Sequence, residues 1–210
     1  MDVWQFYMNR WLFPVMLTGL FFCIHVSRKP LAEWIGKIKS KKDRLMLGYL
    51  LEGLDVKLGD WRKTILPPAA LAIGLDFLVS WIYQMPLHAS GEALWFALLT
   101  GGFLNPIAEE FLVRGIGLGA FALLAERTSK KWKEGEAAKY SIWLFGMLFI
   151  SYAFTIGHNN TTAYQFAGRF AKSMLFGLLY LLSGRNLLPP IIAHAASNLF
   201  LILNDEASCA

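Results

Sequence analysis

Long apolar runs alternate with short polar, mostly basic segments along the whole chain. The apolar runs fall at about 11 to 26, 65 to 84, 92 to 125, 141 to 158, 169 to 183 and 187 to 203, and a bilayer core asks for roughly 20 residues of helix. This pattern predicts an all-α, polytopic integral membrane bundle of about six transmembrane helices, several of them short. Between the first two runs, residues 31 to 58 set Leu31, Trp34, Ile35, Ile38, Leu45, Leu47, Leu50, Leu51 and Leu54 among Lys and Arg at roughly helical spacing. An interfacial amphipathic helix is expected there, with a solvated connector as the plainer alternative. The first run follows Arg10 and looks like a signal peptide. No small-x-small cleavage site follows before Ser27-Arg28-Lys29-Pro30, so the helix is expected to be retained. No repeat or low-complexity tract divides the chain, which reads as one membrane domain over 1 to 210.

Composition supports this reading. The 210 residues are 56% hydrophobic and 17% charged, with a mean hydropathy of +0.43, whereas soluble domains carry about 25% charge. Disorder, coiled coil and collagen are excluded. Cys23 and Cys209 are too few for a disulfide framework, and neither has a zinc-ribbon spacing.

The distribution of charge adds an orientation. Of the 20 Lys and Arg, residues 27 to 64 hold 10, residues 126 to 140 hold five and Arg185 adds one. The opposite segments 1 to 10, 85 to 91, 159 to 172 and 204 to 210 hold three together, and Arg114 lies inside a run. The positive-inside rule puts loops 27–64 and 126–140 in the cytoplasm and both termini outside. A pI near 9.2 then reflects anionic membrane lipid as a partner, not nucleic acid, for which no motif appears.

An ionisable group at membrane depth costs several kcal/mol unless it is paired or faces water. The polar residues inside the apolar runs are therefore the informative ones: Asp76, Glu109, Glu110, Arg114, His158, His194 and Asn198. Asp76 stands alone in its run and reads as structural, paired with another helix or set near a water-filled cavity. Glu110 and Arg114 are four apart with the acid N-terminal, the favourable order for a helical ion pair. Glu109 is rotated about 100° away, so it is the unneutralised carboxylate, and burial is expected to raise its pKa into the range of a general base. Gly101-Gly102 and Asn105-Pro106 precede it, and Asn before Pro predicts a break or restart of the helix.

Phe154 and His158 share a face at i,i+4, as do His194 and Asn198, the latter pair with three small residues between them that permit close helix approach. One carboxylate, two imidazoles and an amide on three apolar helices are explained together by one polar pocket. Such a pocket has the parts for water-mediated amide hydrolysis: a base, an imidazole to orient the water, and donors for the oxyanion. Ser151, Ser173, Ser183 and Ser197 lack the setting of a nucleophile. His25 and His88 have no acidic or histidine neighbours and receive no role. Asn159-Asn160-Thr161-Thr162 contains overlapping glycosylation sequons, relevant only in a secretory pathway.

The order Glu-Glu-x-x-x-Arg, Phe-x-x-x-His and His-x-x-x-Asn, each on its own apolar helix, resembles the CPBP intramembrane proteases. That family includes the C-a-a-X prenyl endopeptidases and the Abi-type bacteriocin-processing proteins. The resemblance spans about 95 to 200, and Asn105-Pro106 and Asn186 to Pro190 match its usual surroundings. It implies an intramembrane endopeptidase acting on a membrane-associated peptide or protein, with or without a prenyl group. By the same resemblance Glu109 is the catalytic carboxylate, His158 helps activate the water, and His194 and Asn198 are the oxyanion donors. Glu110 and Arg114 keep the ion-pair role. The cofactor stays open: none if the enzyme is of glutamate type, or a divalent cation such as zinc held by one Glu and two His. Residues 1 to 90 carry no family motif and are expected to set substrate choice or partners.

Two other classes fit the same residues. One is a non-hydrolytic immunity or scaffold protein with a structural polar cluster; the other is a small proton-coupled or metal transporter, against which stands the lack of an inverted repeat. Depth poses a further question. His158 lies about 28 Å into its span counted from Lys139, whereas His194 comes soon after Arg185, so they meet only if the fourth helix tilts or the cavity is deep.

Overall fold

The computed structural model of the chain describes residues 3–57, 65–83, 94–129, 135–158 and 162–209. Among these residues every apolar run is helical and no strand occurs. The basic residues of 58–64 and 130–134, His88 and the sequon residues Asn159 to Thr161 lie outside the described residues.

Helix α1 (Val3–Val26) carries the first run. The basic amphipathic stretch forms two helices instead of one, α2 (Arg28–Gly36) and α3 (Lys41–Gly53). Ser40 causes the division: its side chain accepts from the Asp43 N–H at 3.3 Å and caps a new helix. Ile35 is buried, while Trp34 and Leu45 remain exposed, so the pair has an outward apolar side among its cations. Helix α4 (Leu66–Tyr83) follows, with Pro67 and Pro68 in its first turn, where a missing N–H is harmless.

The long third run does not break at Asn105-Pro106. It stays helical as α5 (Leu94–Leu99), a π-helical segment Thr100–Leu104, α6 (Asn105–Glu110), a second π-helical segment Phe111–Leu118 and α7 (Gly119–Ser129). Asn105 keeps helical angles, φ −63° and ψ −48°. In α geometry the Pro106 ring would clash with the carbonyl four residues back. The wider turn over Thr100–Leu104 takes up that mismatch without a break, so the expected restart is a widening.

Helices α8 (Gly135–Ile156), α9 (Ala163–Leu182) and α10 (Leu188–Cys209) complete the chain. Among the described residues α8 is the one helix long and apolar enough to cross a membrane by itself; Pro14–Val26, Leu66–Leu78 and Leu188–Leu203 are shorter apolar helices. Tyr140, Leu144, Phe145, Leu148, Phe149, Tyr152 and Ile156 on α8 are all exposed. An apolar face of that extent is stable in lipid, not in water.

The interior sets charged groups among apolar ones such as Phe111, Leu118, Phe176 and Leu187. Its largest fully buried side chain is Arg114, and Glu110 is buried completely. Small residues bring the helices close: a Cβ on Gly146 would stand 2.6 Å from Phe121, and one on Gly102 2.6 Å from Leu199. The turn before α10 is latched to the end of α3. Gly184 and Arg185 adopt left-handed φ of 70° and 65°. The Asn186 side chain accepts from Lys57 N–H at 2.9 Å and donates to Lys57 O at 2.7 Å, while Arg185 donates to Tyr49 O and pairs with Glu52, each at 3.0 Å. Asp55, also buried, pairs with Arg28 and Lys57.

Candidate active site

Glu109 and Glu110 close α6, and the π segment after them decides where each points. Glu110 turns inward. Its Oε1 accepts from Arg114 Nη1 at 3.1 Å and bonds His194 Nδ1 at 2.8 Å. Arg114 Nη2 also donates to the carbonyl and hydroxyl of Ser173 on α9, at 2.9 and 2.6 Å. The guanidinium lies 5.1 Å from the Phe154 ring and 5.6 Å from the Phe176 ring, a cation held between two negative faces. The expected ion pair is present, and it also reaches a third helix.

Glu109 turns outward into a cavity of about 270 Å³ lined by Asn105, His158, Arg169, Lys172, His194 and Asn198 among others. Its side chain keeps 31% of its exposure, whereas Glu110 is fully buried. Glu109 Oε2 stands 3.9 Å from His158 Nε2 and 3.7 Å from His194 Nε2. The two imidazoles therefore meet at one carboxylate. His158 lies just beyond the end of α8, and it reaches the same carboxylate as His194 from there.

The partners of each ring fix its protons. His158 Nδ1 lies 2.7 Å from Phe154 O, and a carbonyl only accepts, so Nδ1 carries a hydrogen, and in the neutral ring Nε2 carries the lone pair. This bond also satisfies one of the orphan carbonyls at the end of α8. His194 Nδ1 faces the same Glu110 oxygen that accepts from Arg114, so Nδ1 donates here too. Both rings thus present Nε2 toward Glu109. His194 stacks on Phe176 at 5.1 Å and Phe154 lies 4.4 Å from His158, which holds both ring planes.

Asn198 is placed in the cavity wall one turn after His194, but its Nδ2 donates to Gly101 O in the first π segment at 2.7 Å. That bond pairs a carbonyl in the widened turn and leaves the amide one further hydrogen. Among the described residues, Asn105 Oδ1, Glu110 Oε2 and Asp76 Oδ2 are buried without a partner.

Two cations of the cavity are new. Arg169 and Lys172, three apart on one face of α9, were counted as flanking loop charges in the topology argument; they belong to the second and third turns of a helix that begins at Ala163. Lys172 Nζ pairs with Asp76 Oδ1 at 2.8 Å and donates to Ser197 Oγ at 3.3 Å. Asp76 therefore has a partner on another helix, as its structural reading requires. The signal was available: i,i+3 cations in the turns before an apolar run, opposite an acid stranded in another run.

Among the described residues no group of three His, Cys, Asp or Glu side chains stands out as arranged to hold a metal ion. The sequence is similar over residues 91–200, just over half of the chain, to the model of a family described as type II CAAX prenyl endopeptidase Rce1-like. No curated protein and no solved structure matches the chain.

Proposed function

The chain belongs to the Rce1-like family of type II CAAX prenyl endopeptidases, and on that premise we propose that it is an intramembrane endopeptidase. It hydrolyses a peptide bond of a membrane-associated peptide or protein with water activated by Glu109 and His158. The observation that carries this reading is the convergence of two imidazole Nε2 atoms on Glu109 Oε2, at 3.7 and 3.9 Å, in a cavity lined also by Asn105, Arg169, Lys172 and Asn198.

A water between Glu109 and His158 has acceptors for both of its protons. Glu109 takes one as the water oxygen bonds to the scissile carbonyl carbon, and the same proton then passes to the leaving nitrogen. His158, oriented by the Phe154 carbonyl, holds the water in line. His194 and Asn198 lie on the facing helix; the second amide hydrogen of Asn198, and His194 Nε2 in the form of the ring that carries a hydrogen there, serve the developing oxyanion. Ser197 beside Lys172 suggests a Ser–Lys nucleophile, but Lys172 Nζ is paired with buried Asp76 at 2.8 Å and donates to Ser197 Oγ, the reverse of the bond that a base needs. The buried half of the cluster, Glu110, Arg114 and Ser173, supports His194 from behind and does no chemistry.

The test is cleavage of membrane-anchored peptides, with and without prenylated C-termini, by purified wild type and Glu109→Gln. Cleavage that falls about 10²- to 10⁴-fold in the variant is expected for loss of a general base. Full activity of the variant, or of His194→Ala, would sink the mechanism. Parallel assays with a chelator separate water activation by carboxylate alone from a metal-assisted one.

A further inference from the structure

Helix α2 leaves α1 with Ser27 alone between them. The chain stays hydrogen-bonded through the junction, with Ser27 N–H donating to Cys23 O at 2.9 Å and Leu31 N–H to Ser27 O at 2.8 Å. The hairpin of α2 and α3 is therefore held at the end of α1 and does not hang from a linker. Val26, the last residue of α1, is 80% exposed, and an apolar side chain so open is at home in lipid. The hairpin starts where α1 leaves that lipid.

Its surface is basic. Over residues 28–45, Lys29, Lys37, Lys39, Lys41, Lys42 and Arg44 are exposed, against the exposed acids Glu33 and Asp43. Trp34 and Leu45 stay open among these cations, at 60% and 59%. Trp34 precedes Lys37 by three residues and Leu45 follows Lys41 by four, so each pair shares one side of its helix. An indole beside a lysine settles at headgroup level, the ring toward the acyl chains and the ammonium toward phosphate. Cations alone would suit a solvated connector, whereas large apolar side chains among them suit an interface with an apolar side.

The same hairpin is bonded to the helix that carries His194. Asp55, just after α3, pairs with Arg28 of α2, and its carbonyl accepts from Leu187 N–H at 2.9 Å. The Arg185 guanidinium lies 3.6 Å from the Tyr49 ring, and Tyr180 Oη donates to Gly53 O at 3.0 Å. Helix α10 begins at Leu188, and His194 follows within two turns. A displacement of α2 or α3 thus has a contiguous set of bonded groups through which to reach the imidazole.

Resting on the protease reading above, we propose that the α2–α3 hairpin docks on the headgroups of an anionic phospholipid bilayer, and that this docking sets the rate of cleavage through the latch to α10. The lysine ammonium groups meet lipid phosphates, the Trp34 ring enters between headgroups, and the latch then holds α10 with His194 against Glu109.

The experiment uses the full chain in nanodiscs of phosphatidylcholine, or of an equal mixture with phosphatidylglycerol. A fluorophore is placed at Gly36→Cys, where added atoms meet open space, in a chain with Cys23→Ser and Cys209→Ser. Quenching by nitroxides at the top of the lipid acyl chains then reports docking, beside the cleavage rate of an uncharged membrane-anchored peptide. Anionic lipid is expected to deepen the quenching and to raise the rate about 5-fold or more, the lower end of an ordinary coupling between two sites. Lys37→Glu/Lys41→Glu/Lys42→Glu should remove both responses to lipid charge, and so should salt of about 1 M, where the screening length falls to about 3 Å. Equal quenching in the two lipids, or a triple variant that responds as the wild type does, overturns the proposal, and so does deeper quenching with no change in rate. A triple variant with KM raised equally in both lipids would show that the hairpin binds the peptide itself, which also overturns it. Should the triple variant fail to fold, Lys37→Gln/Lys41→Gln/Lys42→Gln is read by the same two measures. A wild type that cleaves no peptide in either lipid overturns the protease reading and the control of rate with it, whereas the quenching still decides the docking.

Discussion

Adjacent glutamates with opposite surroundings make the clearest contrast at the scale of single residues. Glu110 is fully buried against Arg114 and His194, while Glu109 opens to the cavity. Glu110→Ala leaves the Arg114 guanidinium buried and unpaired, and breaking a buried pair in this way costs about 3–5 kcal/mol. Thermal unfolding in detergent should therefore show a large loss for Glu110→Ala and almost none for Glu109→Gln. Equal loss in both would mean that Glu109 also holds the fold together. The division between these two residues was legible in the sequence, because the i,i+4 spacing to Arg114 singles out one acid and turns the other away. Arg169 and Lys172 were not legible as site residues. A cation near the end of an apolar run is ordinarily a flanking charge, and only the start of α9 at Ala163 moves both inside. The partner of Asp76 was hidden for a related reason, since sequence spacing reports neighbours on one helix and is blind to pairs across two.

On the scale of elements, the site depends on two π-helical segments within one continuous helical run. The first places the Gly101 carbonyl where Asn198 can bond it and brings Leu199 against Gly102; the second follows directly on Glu110. A methyl group on Gly102 would meet Leu199 Cδ2 at 2.6 Å and Cγ at 3.2 Å. Gly102→Ala must therefore displace the Leu199 side chain or shift α10 off the widened turn, and overpacking of this kind costs about 1–3 kcal/mol. Because α10 carries His194 and Asn198, the same shift should lower the rate of peptide cleavage. Leu199→Ala in the Gly102→Ala background makes room and should restore part of both; a double variant no better than the single would show that the defect is not steric. Gly101-Gly102 and Asn105-Pro106 marked the irregularity in the sequence, but a break was expected where the helix widens. Proline forbids ordinary α geometry and is silent on which remedy the chain adopts. The amphipathic stretch likewise showed helical spacing on both sides of Ser40, and apolar periodicity alone does not expose a cap.

At the scale of the whole molecule, the family-like region and the preceding half of the chain meet at the cavity. Asp76 on α4 lies outside residues 91–200, yet it supplies the charge that holds Lys172 in the cavity wall. Residues 1 to 90 thus touch the cavity wall through an ion pair that motif reading does not show, because α4 carries no family signature. Asp76 is 3% exposed, so removing either charge leaves the other stranded at low dielectric. Asp76→Asn frees the Lys172 ammonium to approach Glu109 and should impair cleavage as well as stability. Lys172→Met strands Asp76 and should cost stability chiefly. Each single change is expected to lose about 3–5 kcal/mol, and the double variant Asp76→Asn/Lys172→Met less than the sum, since neither charge is then unpaired. Unfolding measured for all four chains gives the coupling directly. Additive losses would mean that the two groups act independently, and α4 would then be a packing partner with no electrostatic hold on the cavity. A strong coupling, with cleavage recovered in the double variant, would locate the influence of α4 in the position of one ammonium group.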